Sequence, residues 1–279
     1  FVRQRVSHRF LALAAVLGIL GIMDFEREVL HGGYVDTFAF LYGFASTLPL
    51  LAYATRGKEE RGAGNAVPAL AFSAVMLAVS LGMKYFGFFF GAFNLLFLLV
   101  GFKRFAVPRP DVYRRIFLYA AIVVGLSCVW YAKNWFWFDN PLYPMFSNDA
   151  ALEVTREGIR SFIIARAPWN FLIFPFVLFG QWFVSEVESS SRLVMLGYFI
   201  TLYGLLGWRL WRGPRLSLTE LLLFIFIQGY LAFHFALSHY LRYLLPPVII
   251  LPALLALLAD GLFVGLRARL AHARFSFLH

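Results

Sequence analysis

Between Ala66 and Gly101 a single charged side chain, Lys84, interrupts two apolar stretches, each long enough to cross a bilayer. The hydrocarbon core takes about 20 helical residues, with a range of roughly 17–25. Met83-Lys84-Tyr85 leaves almost no chain for a reversal, so the pattern predicts a tight helical turn with Lys84 at a membrane face. A chain committed to lipid must satisfy its backbone polar groups internally, which helices do.

The rest of the sequence repeats this pattern. Apolar residues make up 61 % and charged residues 14 %, and the mean hydropathy is +0.73. Soluble domains carry about 25 % charge. A chain with 33 Phe, 13 Tyr and 7 Trp cannot build an ordinary aqueous surface. The fold expected is an all-α integral membrane protein forming one polytopic domain over residues 1–279. Its eight transmembrane helices fall at about 10–23, 35–54, 66–83, 85–101, 116–132, 192–208, 217–236 and 243–264. The stretch 170–184 is short and split by Pro175, and predicts an interfacial or re-entrant helix inside a long loop at about 133–191.

Charge orients the spans. The net charge is +10, but the basic residues lie between apolar runs and not along one face, which argues against nucleic acid and for topology signals. With eight spans, seventeen of the 25 basic residues fall on the side that holds both chain ends, and the positive-inside rule makes that side cytoplasmic. Counting 170–184 as a span would place "RLWRGPR" outside, against the same rule. Ten of the fifteen acidic residues and the aromatic-rich loops fall on the outer side, where chemistry is expected.

Ionisable groups at membrane depth are functional candidates by default. Asp36 in "HGGYVDTF" opens a span, either as an N-terminal acid favoured by the helix dipole or as an acid facing a site. Lys84 either snorkels or meets a lipid phosphate. Lys133 and Asp139 flank "NWFWF", where an interface anchor and a turn residue explain them as well as function does. Arg242, in "SHYLRYLLPP", opens a span between tyrosines with His239 three residues back, a setting in which a guanidinium can clamp a phosphate. His234 and His239 lack metal-ligand spacing, and no P-loop, nucleophile elbow or dinucleotide fingerprint is present. Cys128, alone in an apolar run, reads as a small buried hydrophobe.

Four patches occur in an order that resembles the GT-C superfamily of membrane glycosyltransferases, in particular the protein O-mannosyltransferases and lipid A aminoarabinose transferases. They are "GYVDTFAFLYGF", "SLGMKYFGFFFG", "NWFWFDNPLYPMF" and "HYLRYLLPPVIILPALLA". The third is similar to that family's "GNPLYP" loop and the fourth to its "RYLLP" segment. The resemblance covers most of the chain. It implies a polyprenyl-phosphate sugar donor in the outer leaflet of a bacterial plasma membrane and inverting transfer to an acceptor.

The resemblance also assigns roles. Asp36 matches the second of two outer-loop acids, the principal base then lying upstream of Phe1, so that the chain is expected to lack N-terminal spans. Lys84 and Arg242 would hold the donor phosphate. Lys133, Trp135, Asp139, Tyr143, His239 and Tyr243 would line the cavity. The residues display no metal motif and leave the need for a divalent ion open. The rival reading is a transporter or flippase of a lipid-linked glycan, which would use the same basic and aromatic cavity without catalysis; such proteins often carry internal repeats, and none is visible.

Overall fold

The computed structural model describes residues 35–55, 66–143, 169–171, 174, 189–212, 215–237, 250–251, 254–255 and 257–259. Among them every regular element is a helix: α1 (Val35–Thr55), α2 (Ala66–Met83), α3 (Gly87–Arg104), α4 (Arg109–Phe138), α5 (Ser189–Arg212) and α6 (Leu218–Leu237). Four stretches are long and apolar enough to cross a membrane: Phe38–Thr55, Gly87–Arg104, Arg109–Phe138 and Leu218–Ala236. The apolar helix Val67–Met83 is just shorter. The protein is thus a helical membrane protein. The expected span at 10–23 lies outside the described residues, as does most of 170–184. Of 243–264, positions 250–251, 254–255 and 257–259 are helical.

The chain divides into two compact units, residues 33–161 and residues 1–32 with 162–279. In the first, α1 packs on α2 and α3, and α2 packs on α4. Hydrogen bonds give the direction of α1 against α2. Ser80 Oγ donates to Ala39 O at 2.7 Å and Ser73 Oγ to Ser46 O at 2.6 Å, so stepping back along α2 means stepping forward along α1. The two helices are antiparallel, and the short connections to α3 and α4 continue the alternation.

Small residues allow the close approach, as expected where lipid tails offer no hydrophobic drive between helices. Ala39, Gly43, Ser46 and Ala54, with the larger Leu50 among them, form a buried stripe along α1. A Cβ on Gly43 would overlap the ring of Phe90, itself fully buried. One buried polar node joins all four helices. Asn94 Nδ2 lies 2.8 Å from Ser46 Oγ and 2.9 Å from Tyr119 Oη, and Tyr119 Oη lies 3.0 Å from Ser73 Oγ.

At 30 residues, α4 is about 45 Å long and outreaches the hydrocarbon. Pro108 caps it, Pro110 sits in the first turn where no N–H is missed, and Asp111 faces the positive end of the dipole. Only Tyr119, Val123, Ser127 and Asn134 are buried along it. This corrects the expectation for Cys128, which is exposed. It follows Ser127 by one position, about 100° round the helix from the packed stripe, on a surface that hydrocarbon can cover.

The antiparallel order gives the first unit two unlike ends. Lys103, Arg104, Arg109, Arg114 and Arg115 gather where α3 passes into α4. There Tyr53 packs on Phe102 and Phe105, and Arg104 reaches Ala54 O at 3.5 Å. Lys84 and Lys133 stand at the other end.

In the second unit α5 and α6 form an antiparallel hairpin. Tyr203 and Gln228 exchange hydrogen bonds at 3.1–3.2 Å, and Arg209 meets Glu220 at 3.1 Å near the turn. Ser217 and Glu220 make a capping box at the start of α6: Ser217 N donates to Glu220 Oε2 at 2.6 Å and Glu220 N to Ser217 Oγ at 3.2 Å. Phe171 and Phe174, in the stretch expected to be interfacial or re-entrant, pack on Phe235, and Phe174 also meets His234.

Candidate functional site

The turn at Lys84 is as tight as its sequence requires. Lys84 N donates to Ser80 O at 3.0 Å, and Gly87 N and Phe88 N donate to Lys84 O and Tyr85 O at 3.1 and 3.0 Å. The first N–H groups of α3 are therefore satisfied by the turn itself. Gly87 is needed there, because a Cβ would stand 2.8 Å from the Leu81 backbone.

The far end of α4 closes by a second turn. Asp139 takes a left-handed conformation, φ 49°, and its N–H donates to Trp135 O at 2.9 Å. Asn140 Oδ1 then accepts the Leu142 N–H at 2.9 Å and Asn140 O accepts the Tyr143 N–H at 3.0 Å, which folds "DNPLY" back on the helix. The rings of Phe138 and Tyr143 stack at 3.9 Å between centroids.

These two turns meet. The Tyr85 hydroxyl donates to Tyr143 O. Asn134, buried on α4, aims Nδ2 at Tyr85 Oη and Tyr143 O, both at 3.3 Å, and at Pro141 O at 3.5 Å. Tyr131 Oη donates to Leu81 O at 3.2 Å. Partial burial raises the Tyr85 phenol above its ordinary pKa, and the hydrogen bond from Asn134 offsets this in part. The hydroxyl therefore keeps its proton and its donor role. On the exposed side, Lys133 Nζ stands 4.4 Å from the Trp130 ring centroid and 4.8 Å from that of Trp137. Such a pairing holds an ammonium at an aromatic interface belt.

The structure brings several expected site residues to one end of the first unit. Lys84 is half-buried in its turn, and Lys133, Trp135, Asp139 and Tyr143 lie along the end of α4. Trp135 is 63 % exposed and Asp139 is exposed as the helix cap. Asp36 lies in the first turn of α1; Phe40, one turn on, packs on Phe86 at 5.3 Å, so the start of α1 shares this end. His239, Arg242 and Tyr243 lie outside the described residues.

Sequence reasoning passed over Tyr85, Tyr131 and Asn134, the residues that join the turns. A signal existed for Asn134: it is a polar residue seven positions after Ser127, on the same face as Tyr119 and Val123. Among the described residues no group of three or more His, Cys, Asp or Glu could hold a metal ion. Comparison with known protein families, with curated proteins and with solved structures finds no match to this chain.

Proposed function

We propose that this chain acts as a membrane glycosyltransferase, moving a sugar from a polyprenyl-phosphate donor to an acceptor on the extracytoplasmic side. The observation that supports this reading is the union of two turns 58 residues apart, those of Tyr85 and Tyr143, at the end that also carries Lys84, Lys133 and the start of α1. They belong to two of the four patches that resemble the GT-C superfamily; packing of α2 on α4 brings these ends together, and the hydrogen bonds of Tyr85 and Asn134 then fix one turn to the other.

On this reading the chain crosses the membrane eight times with both ends cytoplasmic, in a bacterial plasma membrane. The aromatic end of the first unit then faces outward. Sugar transfer needs a base for the acceptor hydroxyl and a cation for the departing phosphate. Lys84 serves as that cation and Asp36 assists the base. Arg242 keeps the phosphate-binding role that the sequence reading gives it. The exposed rings of Trp130, Trp135 and Trp137 offer faces to isoprenoid or sugar.

The test uses the full chain reconstituted in vesicles with a polyprenyl-phosphate sugar labelled in the sugar. Lys84→Ala should weaken donor binding at least about tenfold, the scale of one lost charge-assisted contact. Asp36→Asn should bind donor and turn it over slowly. Movement of the labelled lipid across the bilayer with no sugar transferred would defeat the enzyme reading in favour of a flippase.

A further inference from the structure

The hairpin of α5 and α6 buries a guanidinium that, among the described residues, uses one of its three nitrogens. Arg209 Nη2 donates to Glu220 Oε2 at 3.1 Å and to Arg215 O at 3.2 Å. Nε and Nη1 are buried and have no hydrogen-bond partner among the described residues. The side chain is 3 % exposed. A guanidinium presents five N–H donors in a fixed fork, so the one on Nε and the two on Nη1 remain unspent. Left so, they carry the desolvation penalty of buried N–H donors without a partner, although the charge itself is paired with Glu220.

Glu220 does not make up the difference. The oxygen it turns to Arg209 is also the acceptor for Ser217 N, at 2.6 Å. The carboxylate is divided between capping α6 and meeting the arginine, and it meets the arginine through one oxygen only. Arg215, whose backbone carbonyl accepts from Arg209, carries a second, exposed cation in the same turn. The positive end of the α6 dipole starts at the same turn. Two cations against one shared carboxylate leave local charge for an anion with several acceptor oxygens; a water molecule would supply an acceptor without balancing that charge.

Depth favours the same ligand class. Leu210 and Trp211, next to Arg209, are 72 % and 79 % exposed. An exposed tryptophan near the end of an apolar helix belongs at the lipid headgroup level. Basic pockets between membrane helices at that level take phosphorylated headgroups.

From these observations we infer that Arg209 and the start of α6 form a binding site for a phosphate group. The phosphate comes either from an anionic phospholipid or from solution. The site is separate from the sugar-transfer reading and stands if that reading fails.

The experiment uses the full chain in phosphatidylcholine nanodiscs doped with phosphatidylglycerol, with retained lipid measured by mass spectrometry. A parallel melting series in detergent adds inorganic phosphate. Since Arg209→Gln alone strands Glu220, the variant used is the double Arg209→Gln/Glu220→Gln, which keeps a neutral hydrogen-bonded pair. Arg114→Gln, an equal loss of charge from an exposed position on α4, is the control.

Wild type and Arg114→Gln should retain phosphatidylglycerol about tenfold more strongly than the double variant, the scale of a lost charge-assisted contact. If phosphate in solution is the ligand, inorganic phosphate should instead raise the melting temperature of wild type but not of the double variant. Equal lipid retention by all three proteins, with no shift from inorganic phosphate, overturns the site.

Discussion

Asn94 and Tyr119 share a hydrogen that belongs to the asparagine, whose Nδ2 stands 2.9 Å from the phenol oxygen. The direction follows from carbonyls, which can only accept. Ser46 Oγ gives its hydrogen to Gly43 O at 2.5 Å and Ser73 Oγ gives its own to Ser46 O at 2.6 Å. Ser46 Oγ can then only accept from Asn94. Ser73 Oγ can only accept from Tyr119, so Tyr119 must accept from Asn94. Every side-chain hydrogen of the node is committed, and the amide has one orientation that satisfies them all. Within the node, Asn94 Oδ1 is the one buried atom with no hydrogen-bond partner among the described residues.

That direction predicts an order of variants. Asn94→Leu deletes two donations and should cost about 1–3 kcal/mol of stability. Asn94→Asp keeps the shape but turns an acceptor toward two oxygens that need donors, and it introduces a buried charge or a lone proton. It should therefore be the less stable of the two. Thermal unfolding in detergent ranks them, and an aspartate variant that melts at or above the leucine variant shows that the hydrogens have been placed the wrong way round.

The contact between α1 and α3 rests on the absence of one carbon. Gly43→Ala drives its methyl into the Phe90 ring, and overpacking of this kind costs about 1–3 kcal/mol. Phe90→Leu opens a gap and is destabilising alone. The two together should cost less than the sum of the single changes, because the smaller side chain admits the methyl. A double-mutant cycle of melting temperatures that comes out strictly additive would mean that the helices are held apart by something else.

Helix bounds were legible wherever apolarity sets them. The run 66–83 is α2 to the residue, and 35–54 is α1 but for one position. The run 116–132 recovered only the middle of α4, whose first turn is set by Pro108, Pro110 and Asp111 and whose end is set by Asp139 in a left-handed conformation. Hydropathy does not register these signals. The site was legible in part for a similar reason. Lys84 stood out because a charge between apolar runs is costly. Asn134 and Tyr85 did not, because their worth lies in contacts across helices that depend on register. Cys128 was misplaced because a run apolar on every side does not say which face packs.

Tyr85 ties the two turns through a proton, which gives the cluster a pH limit. Burial holds its phenol above the usual tyrosine value of about 10, with Asn134 pulling the other way. A group whose folded-state value is raised contributes stability that is fully present below the unfolded value and is lost as pH climbs through the folded one. The contact with Tyr143 O should therefore hold through neutral and mildly alkaline pH and fail only above about 10, when the donor hydrogen leaves. Phenolate absorbance of wild type minus Tyr85→Phe isolates this residue among the 13 tyrosines. A midpoint at or below that of free tyrosine contradicts the burial.

The turn before α6 should show three different costs from neighbouring residues. Ser217→Ala removes a cap hydrogen bond and nothing charged, so the expected loss is about 0.5–2 kcal/mol. Glu220→Gln leaves Arg209 buried without its counter-charge. Breaking a buried pair by one partner costs about 3–5 kcal/mol. Arg209→Met with Glu220→Leu removes both charges and fills the space with apolar atoms. It should recover most of that loss, while the cap bond from Ser217 N to Glu220 remains missing. Unfolding midpoints of the three proteins give the ranking directly. If the apolar double variant is no more stable than Glu220→Gln alone, then the carboxylate contributes chiefly as a helix cap and the charge on Arg209 is balanced by another group.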